Sequence, residues 1–134
     1  LLKKHADLSD DIEDMAEKVV DAAYHVHKNL GAGFPERVYE SALCVELEKR
    51  FLQFDKQKII KVIYPPDIVL DPEYRLDLVV EDEIILELKC VEKILPVHQA
   101  QLYSYMRMSG IKLGFLLNFN VPLIKDGIKR QCIK

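Results

Sequence analysis

Cysteine is scarce in this 134-residue chain, and what there is lacks pattern. Cys44, Cys90 and Cys132 are scattered, with no CxxC spacing. An odd, sparse set argues against a disulfide frame and against a structural zinc site, and for reduced thiols in a cytoplasm. Long apolar runs are missing too. None approaches the ~20 residues of a membrane helix. The opening LLKKHADLSDD turns acidic at once and holds no secretory core. Excess positive charge is also absent, since the net charge is −3. That disfavours a nonspecific nucleic-acid coat. Repeats, low-complexity stretches and linkers are lacking, so residues 1–134 read as one domain. Nearly half the residues are apolar (49%), enough for a sizeable core.

The charge is unevenly spread. Residues 1–21 hold seven acids against three lysines, whereas residues 112–134 hold Lys112, Lys125, Lys129, Arg130 and Lys134 against Asp126 alone. The basic end reads either as a phosphate-facing edge or as a lysine-protected sheet edge.

Apolar side chains at Ile12, Met15, Ala16, Val19, Val20, Ala23, Val26 and Leu30 recur at helical spacing. A helix over 10–30 follows, capped by Ser9 or Asp10 and ended by Gly31-Ala32-Gly33. Pro35 opens a second helix running to about Phe51. Then the period changes to that of strands. KQKIIKVIY, DIVL, YRLDLVV and EIILELKCV are separated by Pro65-Pro66-Asp67, by Asp71-Pro72-Glu73 and by an acidic turn, Glu81 to Glu83. Pro96 starts a third helix, closed by Gly110. LGFLLNFN is apolar enough for a central strand covered on both faces, and IKRQCIK closes the chain as an edge strand. The order α-α-β-β-β-β-α-β-β makes a mixed α/β (α+β) fold, in which a helix joins two parallel strands.

The densest chemistry is Asp77 followed ten residues later by Glu87-Leu88-Lys89. On a strand, Glu87 and Lys89 project together while Leu86, Leu88 and Cys90 point the other way. A hairpin brings Asp77 beside them. Two carboxylates and a lysine among apolar strands need a partner. Hard oxygens suit Mg²⁺ or Mn²⁺, and the lysine can hold a phosphate. The bland alternative is a surface ion pair beside a solvated aspartate. On the third helix, Gln101 and Tyr105 are four apart and share a face, with His98 on the same stripe. Glu36 and Glu40 are likewise four apart. Glu36 near a helix start is either a dipole partner or a further acid reaching the metal. His25 and His27 diverge on the first helix and cannot chelate one ion, so His27 reads as a packing or dipole residue.

Gly33-Phe34-Pro35-Glu36-Arg37-Val38-Tyr39 fits a G-x-x-E-x-x-Y pattern, followed by YESAL, YRLDLVV, ELK and Gln-x-x-x-Tyr. Over about residues 15–133 this ordered series resembles the GxxExxY protein family, a branch of the PD-(D/E)XK nuclease-like superfamily. The resemblance implies a restriction-endonuclease-like core, a mixed central sheet flanked by helices. It implies Asp77 and Glu87 as metal ligands, Glu36 as the acid from the early helix and Lys89 as the catalytic lysine. Gln101 and Tyr105 would arrange the site. No proline precedes Asp77; Leu76 stands there. The expected function is Mg²⁺- or Mn²⁺-dependent cleavage of DNA by a cytoplasmic homodimer, its two-fold axis doubling the DNA contact. The alternative is a binding module of nuclease fold that does not cut.

Overall fold

A computed structural model describes residues 8–133. Residues 1–7, on which the reading of the N-terminus partly rests, and Lys134 lie outside the described residues. Helix α1 spans Asp10–Leu30, and the Ser9 hydroxyl accepts the Ile12 N–H at 3.2 Å as its cap. Helix α2 is Glu36–Lys49, and α3 is Pro96–Ser109 with Gly110 left-handed at its end. The strands are β1 (Phe54–Tyr64), β2 (Ile68–Val80), β3 (Ile84–Lys89), β4 (Leu113–Asn118) and β5 (Ile128–Cys132). A short 3-10 turn, Ile124–Gly127, precedes β5.

The sheet runs β1-β2-β3-β4-β5, and its one parallel pair is β3 with β4. β4 is buried along its whole length, because helices cover both faces of the sheet at its centre. On one face α1 and α2 pack Val19, Ala23, Leu43 and Leu47 against Leu78, Leu86, Leu88, Phe115 and Leu117. On the other, Leu102 and Met106 of α3 pack against Leu76, Val79, Ile85 and Leu116. This is the mixed sheet flanked by helices that a restriction-endonuclease-like core requires.

The order of elements is the expected one with a single difference. The strands placed on either side of Asp71-Pro72-Glu73 are one strand, β2. Its pairing with β1 shifts between Lys61↔Glu73 and Ile63↔Val69, so residues 70–72 bulge out of the ladder. A proline in a bulge has no ladder bond to lose, which lets the strand run on past Pro72. Phe51 also lies beyond α2, exposed, with φ 60°. Arg130 is no free phosphate contact. It is paired with the buried Glu13 of α1 and lies over the Phe115 ring, and it locks β5 to the helix layer.

Candidate metal centre

The β2–β3 ladder is only three pairs long, from Val80↔Ile84 to Leu78↔Leu86. One step further the register sets Asp77 opposite Glu87, and there the backbone pairing gives way to side chains. The Asp77 N–H donates to Glu87 Oε1 at 3.2 Å, and the Leu88 N–H donates to Asp77 Oδ2 at 2.8 Å. Each carboxylate thus caps an N–H that the opened ladder leaves free. Each keeps its other oxygen, Oδ1 or Oε2, out of these bonds.

Neighbouring clusters fix the face. Ile85 packs under α3, whereas Leu86 and Leu88 pack under α1 and α2. Glu87 and Lys89 therefore lie on the α3 side, two residues apart on one strand face. Asp77 is joined to this stretch of β3 by its two bonds, its N–H to Glu87 and its carboxylate to the Leu88 N–H. The end of β3 is held in place beyond Lys89. The Lys89 carbonyl accepts the Phe119 N–H at 3.1 Å, and the buried Asn118 brackets Val91, accepting its N–H at 3.1 Å and donating to its carbonyl at 2.9 Å.

The electrostatics follow from burial. Glu87 is only 6% exposed. Loss of water, then the charge of Asp77, pushes its pKa up to about 8, against the smaller pull of the Asp77 N–H and of Lys89. Burial also raises Asp77, opposed by its bond from Leu88. Glu36, the first residue of α2, opens to solvent at the rim. Its carboxyl is raised by partial desolvation and by Asp77, with Lys89 acting the other way. Tyr105 of α3 is half-buried, with its ring 5.0 Å from that of Tyr74. Burial raises its hydroxyl pKa, and so do the charges of Glu87, Tyr74 and Asp77.

Asp77, Glu87 and Glu36 thus feel one another's charge and that of Lys89, and Tyr105 feels Asp77 and Glu87. Gln101 is exposed on α3 and makes no hydrogen bond among the described residues. His98 has a local task. Its Nδ1 accepts the Leu95 N–H at 2.9 Å and caps the start of α3. His27 meets the Val121 carbonyl at 2.8 Å, the packing role read from its place on the helix.

The glycine and tyrosine of the G-x-x-E-x-x-Y pattern serve the glutamate between them. Gly33 has φ 110°, a conformation open to glycine. Tyr39 is fully buried, stacked on Phe119 at 4.6 Å. Its hydroxyl donates to the Gly31 carbonyl at 2.5 Å and accepts the Phe34 N–H at 3.2 Å. One side chain so ties the loop between α1 and α2 to the end of β4, and Glu36 is delivered to the rim.

A sequence model of the PD-(D/E)XK nuclease superfamily matches residues 13–131. The chain belongs to the PD-(D/E)XK nuclease superfamily. No match to a curated protein or to a solved structure accompanies that finding. The match takes in β2 and β3, all of α2 and α3, and α1 from Glu13 onward.

The donor set suits a hard divalent cation. Mg²⁺ is commonly held by one or two carboxylates, with water completing an octahedron. Asp77 and Glu87 supply two such groups, and a buried carboxyl raised to about 8 is one that a cation would return to its charged form. Among the described residues no three His, Cys, Asp or Glu side chains close around a single point. Glu36 is exposed at the start of α2, and its carboxyl feels the charge of Asp77. Two more polar residues reach the group. Glu40 bears on both Asp77 and Glu36, and Gln57 of β1 donates to Glu40 at 3.0 Å. The spacing of Glu40 from Glu36 signalled a shared helix face. Nothing in KQKIIKVIY singles out Gln57.

Proposed function

We propose that this protein is a Mg²⁺- or Mn²⁺-dependent nuclease that hydrolyses phosphodiester bonds in DNA. The observation that carries the reading is the opened hairpin, where Asp77 and Glu87 face each other across strands with Lys89 on the same side. When bound, the cation would lower the pKa of water and neutralise charge on the scissile phosphate. Asp77 Oδ1 and Glu87 Oε2, which take no part in the bonds between β2 and β3, would hold it, with the Leu88 carbonyl near by in the chain. Lys89 offsets the charge that grows on the phosphate oxygens in the transition state. Glu36 would complete the set of acids from the start of α2, reaching the cation directly or through water. Tyr105, with a hydroxyl that stays protonated, donates a hydrogen bond toward the phosphate or the carboxylates.

The three thiols are free, in keeping with work in a reducing cytoplasm. Helices α1, α2 and α3 are none of them long and apolar enough to cross a membrane. A homodimer would double the DNA contact of so small a chain. The outer part of the β1–β2 ribbon, with Ile59, Ile63, Tyr64, Ile68 and Val69 exposed, is the apolar surface such a pair would cover. Scattering that returns a single-chain particle at high concentration, with and without DNA, contradicts the dimer.

The second reading is a binding module of nuclease fold, favoured by the net charge of −3. The test is cleavage of linear, nicked, branched and single-stranded DNA with Mg²⁺ or Mn²⁺, wild type beside Lys89→Ala. The nuclease reading expects wild type to cut at least one form and Lys89→Ala, still folded, to cut none. If wild type cuts none, or the variant cuts equally well, the binding module stands.

A further inference from the structure

The β1–β2 ladder skips one pair beside the site. Lys56 faces Leu78 and Lys58 faces Leu76, while Gln57 and Asp77 between them are unpaired. Both strands are irregular there. Gln57 has φ 51°, in the left-handed region that a residue with a side chain rarely adopts inside a strand. On β2 the alternation of faces breaks at Asp77. Leu76 and Val79 pack under α3, while Leu78 packs under α1 and α2.

Packing does not explain the strained backbone, for Gln57 is exposed. Its hydrogen bond to Glu40 Oε1 is also exposed, and such a bond contributes little stability in water. What the conformation achieves is placement. It turns the Gln57 amide toward α2, onto a carboxylate of the helix that carries Glu36. The same amide lies close enough to Asp77 to favour that residue's charged form. One side chain of β1 so bonds an acid of α2 while its residue stands across the ladder from Asp77, at the point where β2 leaves the ladder. Strain held at such a junction is a mark of function when no contact energy accounts for it.

We propose that Gln57 is a positioning residue for the cation site, its amide held on Glu40 across the ladder from Asp77 and so setting how Asp77 presents its carboxylate. This rests on the reading that Asp77 and Glu87 hold a divalent cation. Residues that orient metal-binding carboxylates through hydrogen bonds typically change metal affinity by about 10–100-fold when removed. Gln57 acts through Asp77 and has no contact of its own with the ion.

The experiment uses the whole chain and Mn²⁺ alone. Free Mn²⁺ is followed by electron paramagnetic resonance in wild type, Gln57→Gly and Gln57→Ala, and thermal unfolding of each is recorded in chelator. Glycine accepts the left-handed backbone and alanine keeps the strain, but both lose the amide. The expected result is a loss of Mn²⁺ affinity of about tenfold or more in both variants. Gln57→Gly should also melt at or above the wild-type temperature. A merely structural Gln57 would move the melting temperature and leave Mn²⁺ affinity alone. Wild-type affinity in either folded variant overturns the proposal while the cation reading stands. If wild type itself takes up no Mn²⁺, the cation reading fails and the role of Gln57 falls with it.

Discussion

Glu87→Gln is expected to stabilise the metal-free protein, and to do so only above the pH at which ordinary carboxylates ionise. Burial, aided by the charge of Asp77, moves the Glu87 pKa from 4.5 to about 8. The unfolded chain releases this proton near its ordinary value, whereas the folded chain keeps it until about pH 8. The contribution to stability is therefore complete below the unfolded pKa and is lost as the pH rises through the folded one. By pH 7 a gap of about 2.5 units has opened, and at 1.36 kcal/mol per unit this is about 3 kcal/mol. Glutamine does not ionise, and its Oε1 still accepts the Asp77 N–H. The variant should thus be about 3 kcal/mol more stable than wild type near pH 7 and equal to it near pH 4. Urea unfolding in chelator across that range reads the difference directly. With saturating Mg²⁺ the order should reverse, because a cation stabilises the state that binds it and the variant has lost a charged ligand. Equal stability of the two proteins at every pH would refute the reasoning, since Glu87 would then not be a desolvated carboxyl.

Three other perturbations test the surroundings. Tyr39→Phe keeps the ring on Phe119 but removes the bonds to Gly31 and Phe34, and should cost about 1–3 kcal/mol by urea unfolding, since buried groups lose a partner. Glu13→Ala leaves Arg130 half-buried without its carboxylate, and a loss of about 3–5 kcal/mol is expected; a loss below ~1 kcal/mol would make the pair a surface contact. Asp77→Asn should weaken both Mn²⁺ binding and DNA cleavage, whereas Gln101→Ala, at an exposed position on α3, should give a milder loss of cleavage, because its proposed role is to arrange the site and not to hold the cation.

Local signals made much of this molecule legible from its residues. Helical spacing from Ile12 to Leu30, the Ser9 cap and the Gly110 stop bound α1 and α3 where they stand. The period of two in ELK placed Glu87 and Lys89 on one face and Leu86 and Leu88 on the other. The continuous apolar run of LGFLLN announced a strand covered twice. What was hidden depends on partners far along the chain. Pro72 looks like a strand breaker until β1 supplies the bulge that accommodates it. Gln57 looks like any polar residue of an alternating strand, because its left-handed torsion answers to the opened ladder at Asp77.

The central claim is that Asp77 and Glu87 together hold one divalent cation beside Lys89. Anomalous scattering from a crystal soaked in Mn²⁺ tests it most directly. The account expects a single strong peak with one oxygen of Asp77 and one of Glu87 each at about 2.1–2.3 Å, and water on the side toward Glu36. Density at both carboxylates without a peak between them, at Mn²⁺ concentrations well above those that saturate ordinary Mg²⁺ sites, would contradict it.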